Sequence, residues 1–246
     1  SHDHELQQCS YQSHLSQQMV LGWNILVANN LVDDVSKSSL KEYVHAGLVD
    51  LVLHEVGHTL GLRHNFKASS IYSVNELSSQ DFTEKHGISG SVMDYHPVNL
   101  FNKKVFFQTK PGTYDDWVIT YGYSNFNKDE EFKSLKLIAS QSTHPLLKYA
   151  TDEDTYGLST KGIDPHSNVW DLSSDPIAFY ENRINLVNSL WDKIIDKYSI
   201  DGEKFNKLRR VFGQGIGEYY SAVRNSSKFI GGVYHSRHHI GQSPNL

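Results

Sequence analysis

The sequence is poor in cysteine, methionine and proline: its 246 residues include one cysteine, two methionines and six prolines. A single cysteine, Cys9, excludes an internal disulfide framework and any cysteine-rich zinc or iron–sulfur site. No stretch approaches the ~20 consecutive apolar residues of a membrane-spanning helix, and the opening residues do not resemble a signal peptide. The chain also lacks excess basic charge, with a formal net charge of −5. Nucleic acid is therefore not an expected partner.

The chain is long enough to bury a sizeable hydrophobic core, and it contains fourteen histidines, many of them in short clusters. Apolar residues recur at helical spacing, and we find no parallel-sheet pattern. The predicted fold class is therefore mainly α. The predicted helices cover residues 13–30, 39–61, 113–123, 128–140, 176–198 and 203–226.

The second predicted helix is the most strongly marked, because Ser39 and Glu42 form a capping-box pattern at its start and Gly61 fits the left-handed position at its end. Residues 62–112 are rich in Ser, Gly, Asn and Pro, which predicts irregular structure with short extended pieces such as 105–107. A loop of that length in a compact domain is usually functional. The closing residues from Phe229 are predicted to run as an extended tail.

Inside the second helix, His54 and His58 are four residues apart, which places both imidazoles on one face. Gly61 breaks the helix, so the chain can turn back and bring His64 to the same point. Three imidazoles suit a catalytic Zn²⁺, which keeps its fourth position for water. Glu55, next to the first ligand, is then placed to accept a proton from that water.

Each part of this pattern has a structural explanation when taken alone. A His-Glu-x-x-His string recurs by chance in helices, a histidine such as His64 is favoured near a helix C-terminus, and Gly61 would serve as an ordinary helix stop. No folding requirement calls for all five residues at this fixed spacing. The sequence therefore predicts one catalytic zinc ion.

Downstream, Ser-Val-Met-Asp-Tyr at 91–95 contains one of the two methionines. A long zinc motif followed by a methionine-containing turn resembles the metzincin clan of zinc proteases. The resemblance implies that Met93 forms an apolar base beneath the imidazoles. It also implies that Tyr95 stabilises the oxyanion, although plain packing would explain either residue. By the same resemblance, His96, Pro97 and Val98 form one wall of a substrate pocket.

The strings HEVGHTLGLRHNFKAS, SVMDYHPVN, YDDWVITYGY, DPHSNVWDLSSDP and GGVYHSR look like the bacterial Met-zincin family of large zinc-dependent metalloproteases. On this basis residues 1–123 form the zinc-binding catalytic core, with the active-site helix at about 39–61 and the Met-turn at about 91–97. Residues 124–246 form a helical extension packed on it. Metzincins place a sheet before the zinc helix, whereas only 53 helical-looking residues precede His54. We therefore expect the sheet, with its substrate-binding edge strand, to lie in upstream domains of a longer chain.

Several weaker features keep two interpretations each. Asp50 would either orient His54 or be a solvated carboxylate. Asp115 and Asp116 resemble the acidic pair that opens the helix after the Met-turn in matrixin-type members, and stabilisation of a helix start also explains them. Cys9 would be a buried thiol or a ligand that blocks the zinc. A cluster of histidines in the tail would bind metal or be solvated; its members are His235, His238 and His239. A group of acidic residues would bind calcium or cap helices and loops; its members are Asp152, Glu153, Asp154, Asp164, Asp171 and Asp175.

The sequence thus predicts a zinc endopeptidase, with Glu55 as general base for a zinc-bound water and a peptide or protein as substrate. Two alternatives remain open. The zinc would only staple the helix to its loop in a binding module, or the same site would hydrolyse a non-peptide amide or ester. The family resemblance implies a bacterial protein that is secreted, periplasmic or on the cell surface.

Overall fold

The computed structural model describes residues 11–32, 36–156, 162–199, 201–202 and 204–239. These residues form an all-helical fold in which no β-strand occurs. Its α-helices are α1 Tyr11–Ala28, α2 Lys37–Thr59, α3 Val74–Ser78, α4 Gln80–His86, α5 Thr113–Tyr123, α6 Lys128–Ala139, α7 Asp152–Thr155, α8 Pro176–Tyr198 and α9 Asn206–Ser226.

The mainly helical prediction is confirmed, and six of these helices lie where the periodicity placed them. The prediction for α5 matches at both ends, and Pro176 occupies the first turn of α8 as expected. The irregular segment 62–112 contains two short helices, α3 and α4, which the sequence analysis missed. Ser73 and Ser79 cap these helices, but segments this short lack a readable apolar period.

The start of α2 differs from the prediction. The N-cap is Ser36, whose side chain accepts a hydrogen bond from the backbone N–H of Ser39. The Ser39–Glu42 capping box is therefore wrong, because Ser39 already lies inside the helix. The end was predicted correctly, since Gly61 has φ +82° directly after the C-cap Leu60.

The main hydrophobic core lies where α1 packs against α2, α8 and α9. The guanidinium of Arg183 is buried in this core, where it ties three helices together. It donates to Glu218 on α9 at 2.9 Å, to Gln18 on α1 at 2.8 Å and to the carbonyl of Val98 at 3.2 Å. A second apolar cluster, around Leu77, Ile88 and Phe179, packs α3 against α8.

The proposed boundary between residues 123 and 124 stays a prediction. Apolar residues from both sides share the main core, including Tyr43 and Phe107 on one side and Val187 and Val211 on the other. None of the helices in the described part of the chain is long and apolar enough to cross a membrane.

Candidate metal centre

The three histidines of the zinc motif meet at one point. One ring nitrogen of each of His54, His58 and His64 lies within 4.8 Å of the others, and this is the cluster of potential metal ligands found among the described residues. His54 is fully buried and the other two are partly buried. Nε2 of His64 is buried without a hydrogen-bond partner in the described part of the chain. A zinc ion at this point would supply the partner that this atom lacks, so the residues fit the metal.

Each imidazole is oriented by a hydrogen bond from its other nitrogen. Nδ1 of His54 donates to the carbonyl of Val92 at 2.8 Å, and Nδ1 of His58 donates to the carbonyl of Leu62 at 3.0 Å. Nδ1 of His64 donates to both carboxylate oxygens of Asp152, at 3.0 and 3.1 Å. Such partners fix the tautomer that leaves Nε2 for the metal.

The loop after α2 brings His64 back because the chain reverses at Gly61 and the two residues that follow His64 are held by backbone hydrogen bonds. Gly61 reverses the chain in the left-handed conformation, which costs glycine little. The backbone N–H of Asn65 then donates to the carbonyl of Met93 at 2.9 Å, and that of Phe66 donates to the carbonyl of Ala150 at 2.7 Å. The third ligand is therefore anchored from two distant segments.

Met93 lies directly against α2 at Gly57. A Cβ atom placed on Gly57 would come within 2.2 Å of the Met93 sulfur, so only glycine leaves room for the methionine there. Met93 is fully buried. This packing places the methionine against the turn of α2 that carries His54 and His58, which supports its assignment as the apolar base.

Two buried carboxylates hold the segment 91–95 in shape. Asp115 accepts from the hydroxyl of Ser91 at 2.6 Å and from the backbone N–H of Val92 at 2.8 Å. It also accepts from the backbone N–H of Gly112, so it stabilises the start of α5 as predicted and braces the Met-turn as well. Asp94 accepts from the backbone N–H of Ser69 at 2.8 Å, and burial raises its pKa to about 7.

Aromatic rings surround Tyr95 beside the histidines. Its ring centroid lies 4.9 Å from that of His64 and 5.4 Å from that of His54. The ring of Tyr11, at the start of α1, stacks on that of Tyr95 with centroids 4.9 Å apart, and the centroid of Trp170 lies 5.5 Å from that of Tyr95. The backbone N–H of Trp170 donates to the carbonyl of Tyr95, although Trp170 has the rare φ of +63°.

Glu55 points away from the packed side of α2 and is exposed. No side chain or backbone group among the described residues donates a hydrogen bond to its carboxylate. By contrast, its neighbour His54 is enclosed, and burial together with the nearby His58 lowers the pKa of His54 to about 3. His54 is therefore neutral at physiological pH, which is the form that binds metals.

Among the described residues, Asp152 is the carboxylate that hydrogen-bonds to one of the three histidines. Burial alone would raise its pKa, but the hydrogen bond and charge of His64, together with the hydrogen bond from Thr151, outweigh burial and hold the pKa below its ordinary value. A carboxylate on Nδ1 increases the basicity of the imidazole and so favours metal binding.

Both interpretations of Asp50 were wrong. Asp50 is fully buried, and it accepts from the hydroxyl of Tyr11 at 3.0 Å and from the backbone N–H of Gln108 at 3.2 Å. His96 lies 3.4 Å away on the same carboxylate. Burial would lower the pKa of His96, but Asp50 and its hydrogen bond raise it. Asp50 thus anchors α1 and the segment after the Met-turn behind α2, whereas His54 donates to Val92.

The segment assigned to the substrate pocket is buried. His96 and Val98 are fully inaccessible, Pro97 is buried with them, and Val98 belongs to the main core. The pocket-wall assignment stays a prediction. Cys9 lies outside the described residues.

The acidic group does not gather around a common point. Asp175 caps α8, Asp164 pairs with Lys67, and Asp171 accepts from Ser69. The remaining members pair with Arg63, His64 and Arg237. Because these carboxylates serve caps, loops and ion pairs, calcium has no support here. The tail histidines do not converge on a metal point within the described residues either.

Three residues were not assigned to this site from the sequence: Tyr11, Trp170 and Asp152, which was considered only as part of the acidic group. Asp152 lies 88 residues from His64, so no local spacing connects them. The sequence gives no indication of the positive φ of Trp170, because tryptophan rarely adopts this conformation. Tyr11 was included in no predicted helix, and its contacts depend on the packing of α1.

Comparison with known families agrees with this geometry. A family model described as Met-zincin matches residues 36–245. This match covers most of the chain, so the protein belongs to the Met-zincin family. No curated protein and no solved structure matches the sequence.

Proposed function

We propose that this protein is the zinc-binding catalytic part of an endopeptidase. The observation that carries the proposal is the convergence of His54, His58 and His64, each with its Nδ1 already engaged, beside an exposed Glu55. Membership of the Met-zincin family supports a zinc metalloprotease.

A zinc ion held by the three imidazoles would lower the pKa of water toward ~7 and polarise a scissile carbonyl. Glu55 would accept the proton of the attacking water and pass a proton to the leaving amine. The ring of Tyr95 lies within 5.4 Å of those of His54 and His64. We assign its hydroxyl to the developing oxyanion.

The state of Glu55 favours catalysis over a purely structural zinc. A structural zinc ion requires the three imidazoles and their hydrogen-bond partners, but it does not require a carboxylate at position 55. Glu55 is exposed and accepts no hydrogen bond from the described residues. Hydrolysis of a non-peptide amide or ester would use the same groups, so the substrate must separate these two activities.

One face of α2 supports the proposal that a further domain completes the cleft. Val44, Leu48, Val52 and Val56 form an exposed apolar stripe along the helix. We propose that the sheet expected for a metzincin packs on this stripe and supplies the edge strand that aligns a peptide. A location outside the cytoplasm is proposed on the family resemblance alone.

Glu55→Gln tests the proposal directly. The variant should keep one equivalent of zinc and lose peptide hydrolysis by at least ~100-fold, because a general base contributes at least that factor. Glu42→Gln, at an exposed position of the same helix, is the matched control and should retain activity. The assay uses the longest natural chain with a broad peptide library. Unchanged peptide cleavage by Glu55→Gln would refute the mechanism, and cleavage of esters but of no peptide would favour the non-peptide hydrolase.

A further inference from the structure

A cavity separate from the three histidines lies between α5, the segment 142–149 and the tail 234–239. Its volume is about 590 Å³, within the usual range for small-molecule sites. We call it the tail cavity, and the residues that matter here are Tyr114, Trp117, Lys148, Tyr149, His166 and Arg237. None of the predicted zinc ligands lines it.

One side of the tail cavity is aromatic. The rings of Tyr114 and Tyr149 stack with centroids 5.6 Å apart and planes 13° apart. Trp117 lies 5.8 Å from Tyr114, and its indole N–H is fixed by the carbonyl of Ile138 at 2.8 Å. The guanidinium of Arg237 lies over the Tyr149 ring, 5.1 Å from the centre of that ring. These contacts give a preformed surface for a flat apolar group.

The charge of the tail cavity is opposite to that of the chain. The chain carries 28 acidic and 23 basic residues, but no Asp or Glu is among the residues that line the cavity, while Lys67, Lys148 and Arg237 are. Two of these cations are neutralised from outside it. Lys67 pairs with Asp164 at 2.5 Å, and Arg237 pairs with Asp154 at 2.7 Å.

Lys148 forms no ion pair with the described residues, although the charge of Asp164, which pairs with Lys67, partly offsets the effect of burial on the pKa of Lys148. It is partly buried, and its ammonium makes no hydrogen bond or salt bridge to the described residues. Burial and the nearby Lys67 lower the pKa of Lys148, and burial with Lys148 lowers that of His166. Both groups would be stabilised in their charged forms by an anion placed between them.

We propose that the tail cavity is a binding site for a carboxylate carried on an aromatic or large apolar group. The carboxylate would pair with the ammonium of Lys148, and the apolar group would lie on Tyr114, Trp117 and Tyr149. A single anionic charge matches Lys148, since Lys67 and Arg237, the other lysine and arginine among the described lining residues, are already paired. Free acidic metabolites and the carboxyl end of a peptide share this chemistry.

The test uses the full zinc-loaded chain and four probes. Binding of each probe is measured by calorimetry and by the NMR shifts of the Trp117 indole and the His166 imidazole. N-acetyl-phenylalanine supplies ring and carboxylate, its amide supplies the ring without the charge, acetate supplies the charge without the ring, and phenyl phosphate replaces the carboxylate. We expect N-acetyl-phenylalanine to bind at least ~10-fold more tightly than its amide, the effect of one charge-assisted hydrogen bond. It should also bind more tightly than acetate, which lacks the ring that contacts the aromatic side chains.

Lys148→Met should weaken N-acetyl-phenylalanine by roughly 10-fold or more without changing zinc content. Lys133→Met, which removes an exposed lysine of α6, is the matched control and should bind like the wild type. Tyr149→Leu provides a second variant if Lys148→Met fails to fold, and it should weaken both ring-bearing probes.

Three results would overturn the proposal: equal affinity for the acid and its amide, unchanged binding by Lys148→Met, or shifts of neither Trp117 nor His166 on adding N-acetyl-phenylalanine. Tighter binding of phenyl phosphate than of the carboxylate would overturn the assignment of the ligand class. A peptide ending in phenylalanine, added as a fifth probe, distinguishes the two sources of the carboxylate. Tighter binding of the peptide than of N-acetyl-phenylalanine would assign the site to chain ends, and the reverse would assign it to free acids.

Discussion

The two faces of α2 reverse the usual division of a surface helix. Its buried positions are Tyr43, Gly47, Asp50, His54 and Gly57, which are mostly small or polar. Its exposed positions include Val44, Leu48, Val52 and Val56, and Val52 is 58 % accessible. A surface helix ordinarily buries its apolar stripe and exposes its charges.

This reversal shows what each face is for. On the buried face, two glycines let Met19 and Met93 approach the helix backbone, while Asp50 and His54 enter hydrogen-bond networks. Close approach and hydrogen bonding, rather than apolar area, hold that face. The exposed face carries apolar area with no partner in the described structure, which agrees with the proposed sheet.

The largest expected effect is on the pH dependence of stability of the metal-free protein. The pKa of His54 is about 3 in the folded chain and ~6.5 when unfolded. Below pH 6.5 the unfolded chain therefore binds a proton that the folded chain does not. The free energy of unfolding should fall by up to about 1.4 kcal/mol per unit as the pH drops toward 3.

The measurement is urea unfolding of the metal-free protein at a series of pH values. His54→Gln should remove this part of the slope. His45→Gln, on the exposed part of the same helix, should leave the slope unchanged. If the two variants gave the same slope, the buried face would not enclose His54 as described.

Gly57→Ala tests the close approach on the buried face. The new Cβ would meet the Met93 sulfur at 2.2 Å, so we expect a loss of about 1–3 kcal/mol in stability and weaker zinc binding. Gly122→Ala in α5 is the control, since no atom lies within 4 Å of its added Cβ; it should stabilise the protein by about 0.5–1 kcal/mol. Equal effects of the two changes would show that Met93 does not pack on Gly57.

Asp152→Asn tests the hydrogen bond behind His64. Zinc affinity should fall by about 10–100-fold, the usual effect of removing such a partner, as measured by competition with a chelator. Glu153→Gln, whose carboxylate pairs with Arg63 at the surface, should leave zinc affinity unchanged. A wild-type affinity in Asp152→Asn would mean that His64 is positioned by its loop alone.

The smallest effect is expected on the exposed face. Val52→Gln should change the stability of this chain by less than about 0.5 kcal/mol, the range for a surface substitution. In a longer chain that includes the proposed sheet, the same change should be clearly destabilising. A large loss in the present chain would show that the stripe is already covered, and thermal unfolding of both chains measures the difference.

The sequence by itself determined the features that depend on neighbours along the chain. The helical spacing of His54 and His58, the break at Gly61 and the helices α5 and α8 are local, so periodicity and turn chemistry predict them. The apolar run also located α2, but it did not show which face is buried, because its leucines and valines lie mostly outside.

Tertiary structure decided everything that joins distant segments. Asp152 accepts a hydrogen bond from His64, 88 residues away in sequence. Asp115 accepts one from the backbone of the Met-turn, and Tyr11 of α1 stacks on Tyr95. Helices from both ends of the chain also share one core, because α1 packs against α2, α8 and α9. A hydrogen bond between distant segments leaves no periodic signal in the sequence, since it forms only when the fold brings the two segments together. The residues next to each partner in the sequence do not determine that.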